Sequence, residues 1–161
     1  MDSAPADKIK NDTPGVIAPP PLIYAAGLAA GLLFRAALPF HLPASPFSAD
    51  VGLGLIGTGI LLAVTGFRAM IRAGTHVDPF KPTTALATNG PFRFTRNPLY
   101  LSLTLLYGGI ALFLNLSWAI LFLPIVLLIM RIGVIDREER YLEQKFGEDY
   151  LRYKRSVRRW F

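Results

Sequence analysis

Apolar residues fall along this chain in long unbroken runs rather than as one face of an amphipathic pattern. The stretches 13–34, 51–67 and 97–130 contain no Lys, Arg, Asp or Glu. A helix needs about 20 mostly apolar residues to cross a bilayer. The pattern predicts four such helices, at Leu22–Leu38, Val51–Ile71, Leu99–Leu116 and Trp118–Ile135. Pro39 and Pro43 close the first, and Asn115, Leu116 and Ser117 form a tight turn between the third and fourth. Tyr100 and Trp118 stand at span ends, where amphipathic rings favour the headgroup level. The fold class expected is therefore an all-α membrane protein.

Two polar stretches interrupt the runs. The segment 72–97 is long for a connection between membrane helices, and loops of that length are functional or disordered. Phe80, Leu86, Phe92 and Phe94 among its prolines predict an ordered loop pressed against the helices. After the fourth span, Leu142, Phe146, Tyr150, Tyr153, Val157 and Trp160 recur every three or four residues. That spacing predicts a single amphipathic, basic and aromatic helix lying at a membrane surface. Residues 1–21, mixing Asp, Lys, Ser and Pro, are expected to be a disordered lead, with the membrane domain occupying 22–161.

Composition narrows the class. Of 161 residues, 52% are hydrophobic and 17% charged, against about a quarter charged in soluble domains. There is no cysteine, so disulfide staples, thiolate zinc sites and thiol nucleophiles are excluded. His41 and His76 fall on opposite faces of the predicted topology, so they cannot share a metal, and no metal is expected. A loop histidine such as His76 is more often structural than chemical.

Charge sets orientation. Lys and Arg are absent from 39–50 and 115–117, whereas Lys8, Lys10, Arg72, Lys81, Arg93, Arg96 and eight further basic residues after Ile135 share the other face. By the positive-inside rule that face is cytoplasmic. The net charge of +6 is accounted for by this asymmetry and by anionic lipid, with no nucleic-acid partner expected.

Some residues ask for chemistry. Gly52, Gly54 and Gly57 match a GxGxxG pattern, but a dinucleotide loop needs a strand before it; inside an apolar span glycines let helices approach closely. Extending the C-terminal apolar row back by one turn lands on Glu138. A carboxylate there needs a ligand or a buried cation. A solvated charged face is the plain reading for Glu143, and for Glu139 it stands open beside a role in the site. Arg131, two turns before Glu138, either snorkels to headgroups or holds an anionic substrate group. Arg93, Arg96, Asn97, Tyr100 and Glu138 converge at the cytoplasmic face, which suits a ligand with a charged end and an apolar partner.

The run from Asn89 to Tyr100, NGPFRFTRNPLY, resembles the GPYRxxRHPxY signature of membrane methyltransferases. The run from Glu138 to Tyr153, EERYLEQKFGEDYLRY, resembles their EExxLxxxFGxxYxxY signature. The family is that of isoprenylcysteine carboxyl methyltransferases and phospholipid methyltransferases. The resemblance extends over about 75–157 and implies S-adenosylmethionine as cofactor, held where segments 75–100 and 136–157 meet. It implies cofactor contacts at Thr84, Ala85, Leu86, Ala87, Phe92, Asn97, Pro98, Leu99, Tyr100 and Glu138. Arg96 and Asn97 are the catalytic candidates, and Arg131 and Glu139 the substrate candidates. The acceptor implied is a lipidic or amphiphilic molecule drawn from the bilayer.

Three positions depart from the family pattern. Asn97 stands where the commonest form has histidine, so that residue does not titrate. Phe92 replaces a tyrosine. Val134 occupies the position, one turn before the glutamate pair, where the prenylcysteine enzymes resemble one another in carrying arginine, which weakens the case for a prenylcysteine carboxylate. Two competing readings are a sterol-reductase-like enzyme using NADPH, whose members carry a related Arg-His-Pro-x-Tyr stretch, and a non-catalytic membrane scaffold.

The topology has a direct check. Reporter fusions at Ala44 and after Phe161 should report opposite sides of the membrane, and finding both on one side would contradict four crossings.

Overall fold

A computed structural model describes residues 12–40, 45–78 and 80–160. Among them every regular element is helical. These are α1 (Pro20–Ala37), α2 (Ser48–Ala73), α3 (Pro98–Phe113), α4 (Ser117–Met130), α5 (Asp136–Phe146) and α6 (Glu148–Ser156). A 3-10 turn at Gly90–Arg93 precedes α3, and a π-helical turn at Arg131–Ile135 joins α4 to α5.

Among the described residues, three helical stretches are long and apolar enough to cross a membrane: α1, α2 and the continuous run 117–146. The apolar part of that last run stops at Ile135, because Asp136, Arg137, Glu138, Glu139 and Arg140 follow at once. α3 is apolar but has only 16 residues. The turn from α3 to α4 lies where the sequence predicts it, with Asn115 at a left-handed φ of 50°.

α2 and α3 pack through glycines one heptad apart. Gly52, Gly59 and Gly66 are the buried residues of α2. A Cβ on Gly52 would lie 2.8 Å from the carbonyl oxygen of Gly109, and one on Gly59 would lie 3.0 Å from that of Ser102. Gly54 and Gly57 have open space around them. Of the GxGxxG residues, only Gly52 therefore serves close helix approach.

α1 packs on α4 in a similar way, with Gly31 against Ala119. Polar side chains on these helices satisfy backbone groups inside the bundle. The Tyr107 hydroxyl, 1% exposed, donates to the carbonyl of Ala119 at 2.8 Å. At the far end, Arg35 donates to the Leu114 carbonyl (3.0 Å) and Trp118 Nε1 to that of Leu38 (2.8 Å). The charge inside the first apolar run thus caps the end of α3.

Two expectations are corrected. The C-terminal apolar row does not run along one helix: Gly147, at φ 52°, breaks it into α5 and α6, and Val157 is extended. A side-chain periodicity does not register a glycine that turns the backbone between two rows. The lead segment is also ordered where it is described, while residues 1–11 lie outside the described residues. Val16 is buried, and Ile17 N–H donates to the Gly133 carbonyl at 3.1 Å. The Arg137 guanidinium donates to the Gly15 carbonyl (3.0 Å), and the Tyr141 hydroxyl to Asp12 Oδ1 (2.8 Å). Gly133 makes room for the Ile17 side chain, which would collide with any Cβ there.

If the glycine heptad sets the α2–α3 distance, Gly59→Leu should destabilise the protein by about 1–3 kcal/mol through overpacking. Gly54→Leu should leave the thermal unfolding midpoint in detergent unchanged, and similar midpoints for both variants would count against this packing.

Candidate active site

A cavity of about 660 Å³ opens at the start of α3. That volume falls within the roughly 300–1,000 Å³ of small-molecule sites. Its walls come from the second half of α2, the loop 75–87, the first turns of α3, α5 and α6, and from Pro19–Pro21 leading into α1.

The loop is held by its own polar groups. Gly74, at φ 72°, ends α2 in the left-handed conformation. The Thr84 hydroxyl then donates to the Gly74 carbonyl at 2.6 Å, and Thr84 N–H donates to Thr75 Oγ1 at 3.3 Å. Further on, Gly90 at φ 61° opens the 3-10 turn that buries Phe92. Pro98 begins α3, where its missing N–H costs nothing. The dipeptide Arg96-Asn97 is thereby fixed at the mouth of the helix.

Two C-terminal carbonyls and one hydroxyl hold that dipeptide and the turn before it from the other side. Arg96 N–H donates to the Arg158 carbonyl (3.0 Å). The Thr95 hydroxyl (2.9 Å) and Asn97 Nδ2 (3.2 Å) both donate to the Arg159 carbonyl. The Tyr153 hydroxyl donates to the carbonyl of Phe92 at 2.7 Å.

The two adjacent glutamates have different surroundings. Glu138 accepts a hydrogen bond from the Tyr100 hydroxyl at 2.8 Å. Burial pushes its carboxyl above the ordinary range, opposed by that hydrogen bond and reinforced by the neighbouring charge of Glu139. Glu139 is only 5% exposed and meets three cations. Arg159 grips both its oxygens (3.0 and 2.8 Å), Arg96 Nη2 stands 3.4 Å away, and Lys154 Nζ 3.5 Å away. Arg159 also reaches Asp136 at 3.0 Å, and Lys154 pairs with Glu143. Of the two readings open for Glu139, the solvated face does not apply: it sits in a buried ion cluster, and the buried-cation environment surrounds it rather than Glu138.

Arg96 is left incomplete. Its side chain is 9% exposed, yet Nε and Nη1 are buried with no hydrogen-bond partner. Unpaired buried donors of a charged group are costly, and these two remain available for further hydrogen bonds.

Of the sequence candidates, Ala85, Leu86, Ala87, Phe92, Arg96, Asn97, Pro98, Leu99, Tyr100, Glu138 and Glu139 line the cavity. Thr84 does not; its hydroxyl is used inside the loop. Arg131 is exposed and lies outside the cavity. It stands at the start of the π-helical turn, whose buried residues are Gly133, Val134 and Ile135, and seven residues of helix put it about 10 Å along the axis from Glu138.

Several wall residues carried no signal in the sequence reading, among them Ala63, Phe67 and Met70 on α2. Tyr150 and Tyr153 did carry one, since both belong to the C-terminal apolar row.

A family model described as phospholipid methyltransferase matches residues 48–149, well over half of the chain. The chain belongs to the phospholipid methyltransferase family. The matched residues run from the start of α2 into the first turn of α6 and contain most of the cavity wall. An uncharacterized protein of Haemophilus influenzae is 48% identical over 62 residues, covering 38% of this chain and 98% of that protein. No solved structure gives a significant match. Among the described residues there is no group of three or more His, Cys, Asp or Glu arranged to hold a metal.

Asn97 now has a defined structural partner. Replacing it with Leu should remove its bond to the Arg159 carbonyl and cost about 1–3 kcal/mol of stability. Asn97→His, which keeps a donor, should lose less. Thermal unfolding of both ligand-free variants checks this ordering.

Proposed function

We propose that this family member is an integral membrane methyltransferase that uses S-adenosylmethionine and modifies a lipidic or amphiphilic acceptor at the cytoplasmic face. The observation that carries the reading is the pairing, in one cavity, of the Arg96 guanidinium, whose Nε and Nη1 have no partner, with the Glu138 carboxylate and an apolar wall. The cofactor has a carboxylate, an ammonium group, ribose hydroxyls and an adenine ring. The donor set fits it: Arg96 would take the carboxylate, Glu138 the ammonium or hydroxyl groups, and Leu86, Ala87 and Phe92 the flat apolar part.

When bound, the cofactor supplies an electrophilic methyl group on a sulfonium. The protein's share is orientation and exclusion of water. Orientation matters because an in-line displacement gains most from a fixed approach. Dryness matters because opposite charges neutralise in the transition state. Asn97 cannot accept a proton, so an acceptor that reacts as an anion needs no base from it. A carboxylate or a thiolate would react in this way; a neutral amine would instead take the positive charge onto its nitrogen and lose its proton to water afterwards.

The acceptor's apolar part has a place as well. Ala63 and Phe67 on α2, with Leu103 and Leu106 on α3, extend the cavity along the membrane helices. This supports an acceptor entering from the bilayer. The reading also takes α3 as a fourth crossing. Its 16 residues span about 24 Å, and the tight turn at Asn115 makes it antiparallel to α4. With four crossings, the loop 75–97 and the C-terminal helices share the basic, cytoplasmic side.

Calorimetric titration of the purified protein with S-adenosylhomocysteine and with NADPH tests the function. Binding of the first and not the second is expected; the reverse would favour the reductase, and neither would favour a scaffold. Glu138→Gln should weaken S-adenosylhomocysteine by about 1.5–3 kcal/mol, the range of a hydrogen bond to a charged group. Glu148→Gln, on an exposed side chain outside the cavity, should leave binding unchanged.

A further inference from the structure

The basic segment after α6 borders a second hollow, of about 490 Å³, walled by Arg96, Lys154, Arg155, Arg158 and Arg159 with Trp160 at one side. Five cations around a hollow suggest an anion site, but the carboxylates nearby already match most of them. Lys154 pairs with Glu143, Arg155 with Glu148, and Arg159 with Asp136 and Glu139. The charge of this segment is directed inward, at the wall it shares with the larger cavity. That wall is Arg96, which lines both.

We propose that Arg159, acting through Glu139, is a positioning residue that keeps the Arg96 guanidinium open for the carboxylate of the bound cofactor. This rests on the reading of the cavity as an S-adenosylmethionine site. The geometry supplies the reason. Glu139 is buried and has two oxygens to satisfy. Arg159 takes both with a two-pronged grip, Nε to Oε1 at 3.0 Å and Nη2 to Oε2 at 2.8 Å. Arg96 is held only by a single longer contact, Nη2 to Oε1 at 3.4 Å, so Nε and Nη1 keep their donor capacity.

Without Arg159, the nearest partner able to take both Glu139 oxygens is Arg96 itself. Paired guanidinium and carboxylate groups favour two parallel hydrogen bonds. Arg96 would then close on Glu139, and its free donors would no longer be available to a ligand. The Arg159 main chain reinforces the arrangement, since its carbonyl receives Thr95 and Asn97 on either side of Arg96.

The test compares two ligands on the full chain in detergent: S-adenosylhomocysteine and the same molecule lacking its carboxylate. The wild-type protein should prefer the first. Arg159→Gln should weaken S-adenosylhomocysteine by roughly ten- to a hundredfold and leave the decarboxylated ligand unchanged, abolishing the preference. Arg159→Lys keeps a charge beside Glu139 but cannot make the two-pronged grip, so it should lose most of the preference too. It carries the test should the glutamine variant not fold. Arg155→Gln should retain the wild-type preference.

Equal weakening of both ligands in the Arg159 variants would mean a merely structural role and overturn the inference. So would an unchanged preference, which would leave the proposed function standing. A wild-type protein that binds neither ligand removes the function and this inference with it, and that result is seen before any variant is made.

Discussion

A carboxylate taken out of water has to be surrounded by cations, and Glu139 draws them from both sides of the cavity. Arg96 comes from the loop before α3, Lys154 from α6 and Arg159 from the extended segment beyond it. Removing one partner of a buried ion pair is far costlier than the pair is worth, so these segments are tied to one another. The 3-10 turn, the start of α3 and the C-terminal strand of chain cannot move independently while that cluster is intact. The floor of the cavity is therefore a rigid assembly of loops, even though loops usually supply the mobile parts of a protein.

The membrane half is rigid for a different reason. α2 and α3 touch through glycines set against the facing backbone and against Leu99 and Leu106, where close approach makes dispersion contacts dense. α1 meets α4 and α3 instead, through Gly31, Ala119 and the buried hydroxyls of Tyr24 and Tyr107. The cavity lies where these two pairings diverge, between the second half of α2 and the proline run that leads into α1. An apolar cavity that follows the helices and a polar one that follows the loops thus become one space.

How much of this was legible depends on the kind of signal. Helix ends were plain where apolar length and proline or asparagine coincide, as at Pro98 and at the Asn115 turn. Loop residues such as Phe92 and Leu86 announced burial by being apolar among prolines. Glu138 and Leu142, one turn apart within α5, both line the cavity as the apolar row predicts. What the row could not show is the cluster around Glu139, because Lys154 and Arg159 reach it from beyond Gly147. Gly147 interrupts a row of side chains without belonging to it. The acceptors on Arg158 and Arg159 are main-chain carbonyls, which every residue type possesses, so no pattern of residues could have pointed to them.

The π-helical turn between α4 and α5 ties two requirements together. The span packs by faces fixed within the bilayer, while the glutamates are aimed by the phase of the helix after it emerges. The turn itself is part of the packing: Gly133 receives the Ile17 side chain, and Val134 and Ile135 are fully buried. A change among these five residues would therefore alter the aim of the glutamates and the seating of the lead segment together. The bundle and the chemistry it supports are geared to each other there, and neither can drift without the other.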